Sequence, residues 1–385
     1  MRSKSIHGAS TTEIKTALED AMADGFVPTL AIIFISVVQD RAAIRELFQS
    51  NEIDILGATS CGEFSTGNQT KGQIAILLLA IPKESFTILI EPIYDKTIEA
   101  GAKSLAEKVL KLYSNPSIIL CSTGMDRNGA FFNGDELVTH LEQQLGPEKL
   151  FFGGLAGDDW TLKGTFVFTQ KKETDRGMVA LVLNADEIEI KGMAITGWKP
   201  MGIVRTVTKS KGNLLYEIDN KPAVEMYLKY LGREDLEDKG GYDLIKELSF
   251  EYPFIVERNN NETILKSPMK IDLDENALFI DIEMPVGTRF WFTKPPEFEI
   301  VEETLEKANL IKNTPNEQAD ALLVFSCAGR PPVLGPLVTE ENEGLAQLWQ
   351  TPMAGFFTYG EIGRSLNGKQ NFHSGACCWV TLTEK

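Results

Sequence analysis

The sequence predicts an α+β fold of two lobes, with mixed, largely antiparallel sheets flanked by helices and built on an internally repeated helix-strand-helix-strand-strand unit. Three observations predict it. A Gly, four residues and then Gly-Glu occurs at Gly57/Gly62/Glu63 and again at Gly355/Gly360/Glu361, and an imperfect copy, Phe151-Phe152-Gly153-Gly154-Leu155-Ala156-Gly157-Asp158, lies between them. Short apolar runs ending in Ser precede these copies, at 31–36, 117–122 and 321–326. The length, 385 residues, exceeds the roughly 250–300 that one core supports, so the chain divides into lobes.

In chain order, helical patterns at 12–24, 99–113 and 299–312 each lead through a turn containing Pro28, Pro116 or Pro315 to one of the apolar runs. Those runs read as buried strands, being continuous in Ile, Val, Leu and Phe. After each Gly-acid copy a Gly opens a further apolar strand, at Gly72, Gly177 and Gly375. The period is long and irregular, which excludes a solenoid or propeller. Residues 187–197 and 202–209 read as antiparallel strands, and 223–231 as a helix with an apolar stripe at Val224, Tyr227, Leu228 and Leu231 that stops at Gly232. Between 254 and 292 short strands alternate with turns at Asn259-Asn260-Asn261, Asp274-Glu275-Asn276 and Pro285-Val286-Gly287. The boundary between lobes falls near Asn220, giving domains 1–219 and 220–385.

With 38 basic and 55 acidic residues, the net charge is −17, spread without a basic stripe. Nucleic acid and anionic membrane are excluded as partners, because phosphate binding needs clustered Lys and Arg. No run approaches the ~20 apolar residues of a spanning helix, and the first twelve residues lack a signal-peptide core. Five Cys without a CxxC pair suit a reducing compartment, so a cytoplasmic location is expected.

The Gly-acid steps admit two readings. They are turns repeated because the fold repeats, or places where backbone approaches a ligand while the acid accepts N–H bonds or holds an ammonium group. The strand ends Ser122-Thr123-Gly124 and Ser326-Cys327-Ala328-Gly329-Arg330 carry small polar groups and one guanidinium where α/β folds hold ligands. Arg330 suits a carboxylate, from a ligand or from Glu361. Ser60, Cys61, Glu63, Thr123, Asp158, Cys327, Arg330, Tyr359 and Glu361 are the candidate ligand-binding residues. Cys61 and Cys327 sit beside Gly-rich turns, but a Cys-dependent hydrolase needs a base, and only His7, His140 and His373 exist. No metal-binding motif, P-loop or complete GxGxxG is present, and no catalytic residue is expected.

The strings Val324-Phe325-Ser326-Cys327-Ala328-Gly329-Arg330 and Ala354-Gly355-Phe356-Phe357-Thr358-Tyr359-Gly360-Glu361-Ile362, together with Asn220-Lys221-Pro222-Ala223, resemble the FIST proteins, named for F-box and intracellular signal transduction. Residues 57–63 and 153–158 resemble the family's N-terminal domain. The resemblance implies a non-enzymatic intracellular sensor that binds a small ligand such as an amino acid or related metabolite. Members are often fused to signalling domains; none is recognised here, so the implied partner is a separate protein such as a histidine kinase or a cyclic-nucleotide enzyme. No cofactor is expected. Some stand-alone members sense nitric oxide through haem, the alternative for which His7, His140 or His373, or less favourably Cys61 or Cys327, is the candidate axial ligand.

Overall fold

The computed structural model describes residues 1–232, 250–258, 262–313, 318–365 and 368–385. The expected turn at Asn259-Asn260-Asn261 and the one at Pro315 lie outside the described residues.

Continuous apolar composition makes the central strands two-sided. Leu30–Ser36, Pro116–Ser122 and Ala321–Cys327 are buried at every position. Each runs parallel to a strand reached through a helix, respectively Asp54–Ser60, Phe151–Leu155 and Met353–Thr358. Each also runs antiparallel to a later strand: Ile74–Ala80, Gly177–Asn184 and Cys377–Glu384. Outer antiparallel strands Arg2–Gly8, Phe86–Pro92 and Ile188–Ile195 complete one side of each sheet. Several helices between strands start at side-chain caps: Ser10, Asp40, Thr97 and Asn133 each accept the N–H three residues on.

The other side of each sheet is supplied from elsewhere. The hairpin Glu63–Ser65/Asn68–Thr70 follows the first parallel pair but joins Met353–Thr358 in the third sheet. Glu361–Arg364/Gln370–His373 follows the third pair and joins Phe151–Leu155 in the second sheet. Val167–Phe168/Glu173–Thr174 follows the second pair and joins Asp54–Ser60 in the first. Three six-stranded sheets of matching strand order are thereby locked in a closed cycle.

Their inner faces share one apolar core, in which the Phe34 ring stacks on Phe356 at 4.5 Å and meets the edge of Phe325 at 6.0 Å. Pairs of helices cover the outer faces, for example Ile14, Leu18, Ile44 and Phe48 over the first sheet. Cys377 and Cys378, adjacent in a strand, enter opposite cores as the two-residue alternation requires.

A fourth, eight-stranded sheet forms the second lobe, inserted between Ile195 and Ile300. Its strand Lys199–Lys211 changes register between Met201 and Arg205 and again after Val207, and so bends from one half of the sheet to the other. The helix Ala223–Tyr230 packs Val224, Tyr227 and Leu228 on this sheet. Strands from both sides of residue 220 belong to it, and Ile188–Ile195 pairs with the C-terminal strand Cys377–Glu384.

Glycine permits the exchanged hairpins to seat. In register, Gly57 faces Phe168, Gly355 faces Phe64 and Gly153 faces Ile362. A Cβ on Gly57 would lie 2.2 Å from the Phe168 ring, and one on Gly355 would lie 2.0 Å from the Phe64 ring. Gly57→Ala is expected to lower unfolding stability by roughly 1–3 kcal/mol through overpacking. In a Phe168→Ala background that cost should vanish; paired urea denaturation curves measure the coupling.

Candidate functional site

The ends of the second and third parallel pairs face the eight-stranded sheet across a cavity of about 360 Å³, within the ~300–1,000 Å³ typical of small-molecule sites. The three-sheet body contributes Gly124, Leu155, Cys327 to Gly329, Thr358 and Tyr359; the inserted sheet contributes Leu265, Ser267, Met269, Phe279 and Asp281. The loop after Asp158 places Trp160 and Leu162 at its edge.

Glycines shape this wall as they shape the sheet seams. A Cβ on Gly329 would meet the Phe250 ring at 2.6 Å, one on Gly360 the Phe372 ring at 2.2 Å, and one on Gly124 the Tyr359 side chain at 2.9 Å. Phe250, Phe372 and Tyr359 all line the cavity. Asp158, fully buried, accepts from the Tyr359 hydroxyl on one oxygen. Its other oxygen gathers the Thr161 hydroxyl and the Lys163 and Gly164 N–H groups. Within that tied loop Asp159, Trp160 and Leu162 have φ of 54°, 63° and 54°, a left-handed conformation that bulky residues adopt only when their surroundings hold them there.

Of the nine candidates from sequence, Cys327 and Tyr359 line the cavity. Asp158 and Glu361 stand behind it, anchoring Tyr359 and Thr358 respectively. Thr123 is buried against Gly177, whose carbonyl accepts its N–H. Ser60 and Glu63 bond each other at the first Gly-acid step, away from the cavity wall. Cys61 lies in the core of the third sheet.

The two Glu steps are built alike. Glu63 accepts from the Ser60 hydroxyl and the Gln73 N–H at 3.0 Å; Glu361 accepts from the Thr358 hydroxyl at 2.5 Å and the Ala376 N–H at 2.9 Å. Each acid thus ties the strand end to the start of the next apolar strand. Burial pushes Glu63 up to about 7 and Glu361 up to about 8. The folded chain holds a proton on Glu361 that the unfolded chain releases from about 4.5 upward, so stability falls as pH rises through that window to about 8. Glu361→Gln retains an acceptor and a donor, and is expected to stabilise by roughly 3–5 kcal/mol at about pH 8.5 and little at about pH 5. Chemical denaturation at the two pH values measures the difference.

Arg330 neither pairs with Glu361 nor lines the cavity. Arg330 is fully buried and grips both oxygens of Glu341, Nε to Oε2 at 3.1 Å and Nη2 to Oε1 at 2.5 Å, while Nη1 donates to the carbonyls of Thr196 and Gly375. The short helix Arg330–Leu334 and the longer Leu337–Trp349 bring Glu341 to it, whereas Glu361 faces its own hydroxyl and N–H partners. Arg330→Ala is therefore expected to cost about 3–5 kcal/mol of stability in the ligand-free protein, because it leaves Glu341 buried and uncompensated. Thermal and urea unfolding of that variant check this.

The residue that sequence reasoning missed is Asp281. It is half-buried, accepts from the Ser267 N–H at 3.1 Å and the Ser374 hydroxyl, and lines the cavity. Its signal was an acid set in the apolar run Phe279-Ile280-Asp281-Ile282. Lys266, fully buried, donates to the Phe372 carbonyl at 3.0 Å and lies 4.3 Å from that ring's centre. Burial raises Asp281 and lowers Lys266, and each opposes the shift of the other.

No histidine lines the cavity: His7 lies in an outer strand, His140 on an outer helix, and His373 points away between Phe372 and Ser374. Burial and then Lys266 push His373 down to about 4. Burial raises the Cys327 thiol well above its ordinary value and Cys61 to about 11, so neither is a ready thiolate for iron or for nucleophilic attack. The wall therefore does not fit haem. Among the described residues no group of three His, Cys, Asp or Glu is placed to hold a metal, and no helix is long and apolar enough to cross a membrane.

The comparisons with known proteins decide the family. The FIST N domain matches residues 29–221 and the FIST C domain matches residues 223–364. The chain belongs to the FIST family. These are sensory domains of signal transduction, and the two matched segments meet between the strand Lys221–Pro222 and the helix Ala223–Tyr230. The chain is also similar to an uncharacterized protein, MJ1623, of Methanocaldococcus jannaschii, 25% identical over 211 residues. That match covers 52% of this chain and 40% of the relative, so the chain spans less than half of that protein's length. In FIST terms, the cavity opens between the inserted sheet, built by both matched segments, and the strand ends of the locked body.

Proposed function

We propose that this FIST protein senses a small metabolite of amino-acid size that occupies the cavity, and that it passes the signal to a separate partner protein in the cytoplasm. The cavity itself carries the reading. It is mostly apolar, supplied with a few convergent polar groups, and walled by two parts of the fold that belong to separate sheets. A ligand that touches both walls favours one arrangement of body and inserted sheet over others by its differential affinity. The tied loop carrying Trp160 and Leu162 is the part of the wall that such a shift would reach first. A histidine kinase or a cyclic-nucleotide enzyme is the class of partner proposed for the output. The family's sensory role and the absence of a ready thiolate both favour binding over catalysis.

A ligand selective for the folded state raises the melting temperature, by ~2.7 kcal/mol of stability at one hundred times its Kd. A metabolite screen by thermal shift on the full chain is expected to yield such ligands. Met269→Trp, which places a large side chain in the cavity from a partly exposed position, is expected to abolish the shift while leaving the free protein's stability within about 1 kcal/mol. A metabolite whose effect survives Met269→Trp would place the site elsewhere, and silence across the library in both thermal shift and native mass spectrometry would overturn the sensory reading.

A further inference from the structure

We propose that the cavity receives a small organic ammonium ion, an amine on an apolar or aromatic body, with Asp281 as its counter-charge. The proposal rests on the reading of this cavity as the ligand site and adds the chemistry of what enters it.

The charge pattern of the wall is one-sided. Among the described residues lining the cavity, Asp281 is the single one of Asp, Glu, Lys, Arg or His type. Its carboxylate accepts one N–H and one hydroxyl; a carboxylate has about four acceptor positions, so two remain for a ligand. Among the described lining residues no cation competes for them. Arg330 is turned into the core, its fork closed on Glu341. Lys266 ends the strand Thr263–Lys266, is fully buried and is not among the lining residues, and its ammonium donates to the Phe372 carbonyl. The charge of Lys266 thus offsets the cost of partly burying Asp281.

The rest of the wall suits the same ligand. Trp160 meets Phe250 at 5.3 Å between ring centres with planes 60° apart, and meets Tyr359 at 5.2 Å and 52°. These three rings line the cavity at angles to one another, joined by Phe279 and Phe372. Tilted rings beside a half-buried carboxylate attract an organic cation through its charge and shelter its hydrocarbon body. An anion would meet Asp281 unpaired. A free amino acid would bring a carboxylate for which the wall holds no cation, so an amine is preferred over the amino acid of the same side chain.

The test uses the full chain and a panel of primary amines from butylamine to 2-phenylethylamine and tryptamine, each with its matched alcohol, carboxylate and, for the aromatic members, amino acid. Thermal shift and calorimetry on wild-type protein are expected to show at least one amine binding about tenfold or more tighter than its alcohol, carboxylate and amino-acid counterparts, the worth of one charge-assisted hydrogen bond. Asp281→Asn, which keeps the acceptor for the Ser267 N–H, is expected to erase that preference. Equal or tighter binding of the alcohol or carboxylate, absence of binding by every amine, or an amine preference that survives Asp281→Asn would each overturn the assignment. The wild-type comparison decides by itself if the Asn variant does not fold. A neutral or anionic metabolite that binds and is blocked by Met269→Trp sinks the ammonium assignment and leaves the sensory reading standing; silence of panel and metabolite library alike removes both.

Discussion

The seating of a large apolar side chain from one unit over a glycine of the next is the contact on which the rest of the structure depends. Phe168 over Gly57, Phe64 over Gly355 and Ile362 opposite Gly153 join each exchanged hairpin to its host sheet. No sheet can complete itself from its own segment of chain, because each receives its last two strands from another. The inner faces are therefore held together by backbone pairing at three seams as well as by the shared apolar core. A β-carbon at Gly57 or Gly355 strikes the partner ring, and one at Gly153 strikes the Leu120 backbone of the neighbouring strand.

The cavity inherits its shape from that lock. The turns that launch the exchanged hairpins also fix its wall: Gly360 seats Phe372, Glu361 holds Thr358, and Asp158 holds Tyr359 and the loop of Trp160. The buried charges divide into two groups by what they face. Arg330 and Glu341 bond each other and two carbonyls, and serve the interior. Lys266 bonds the Phe372 carbonyl, and among the described lining residues only Asp281 brings a carboxyl to the space between body and inserted sheet. A rigid half and an inserted half sharing one lined space is the arrangement a sensor requires, since occupancy then changes the free energy of their contact.

Much of this was legible in the sequence where physics is local. The three runs ending in Ser announce strands buried on both faces, because continuous Ile, Val, Leu and Phe can be hidden only that way. The exchange of hairpins was not legible, since pairing between distant segments leaves no local pattern beyond the glycines that permit it. Arg330 was read as meeting a carboxylate of a ligand or of Glu361; its partner is Glu341, eleven residues on, on a helix whose docking is a tertiary matter. The repeated acids drew attention by their spacing and turned out to bond their own turns. Asp281, an isolated acid in an apolar strand, had no repeat to mark it.

Hydrogen–deuterium exchange on the full chain, with and without a ligand found by its thermal shift, tests the central claim most directly. The account predicts added protection in 124–133, 265–281, 327–329 and 358–375, the segments that wall the cavity, on both the body and the inserted sheet. Protection confined to one of these halves, or to the separate groove formed by residues 4–21 and 343–352, would contradict it.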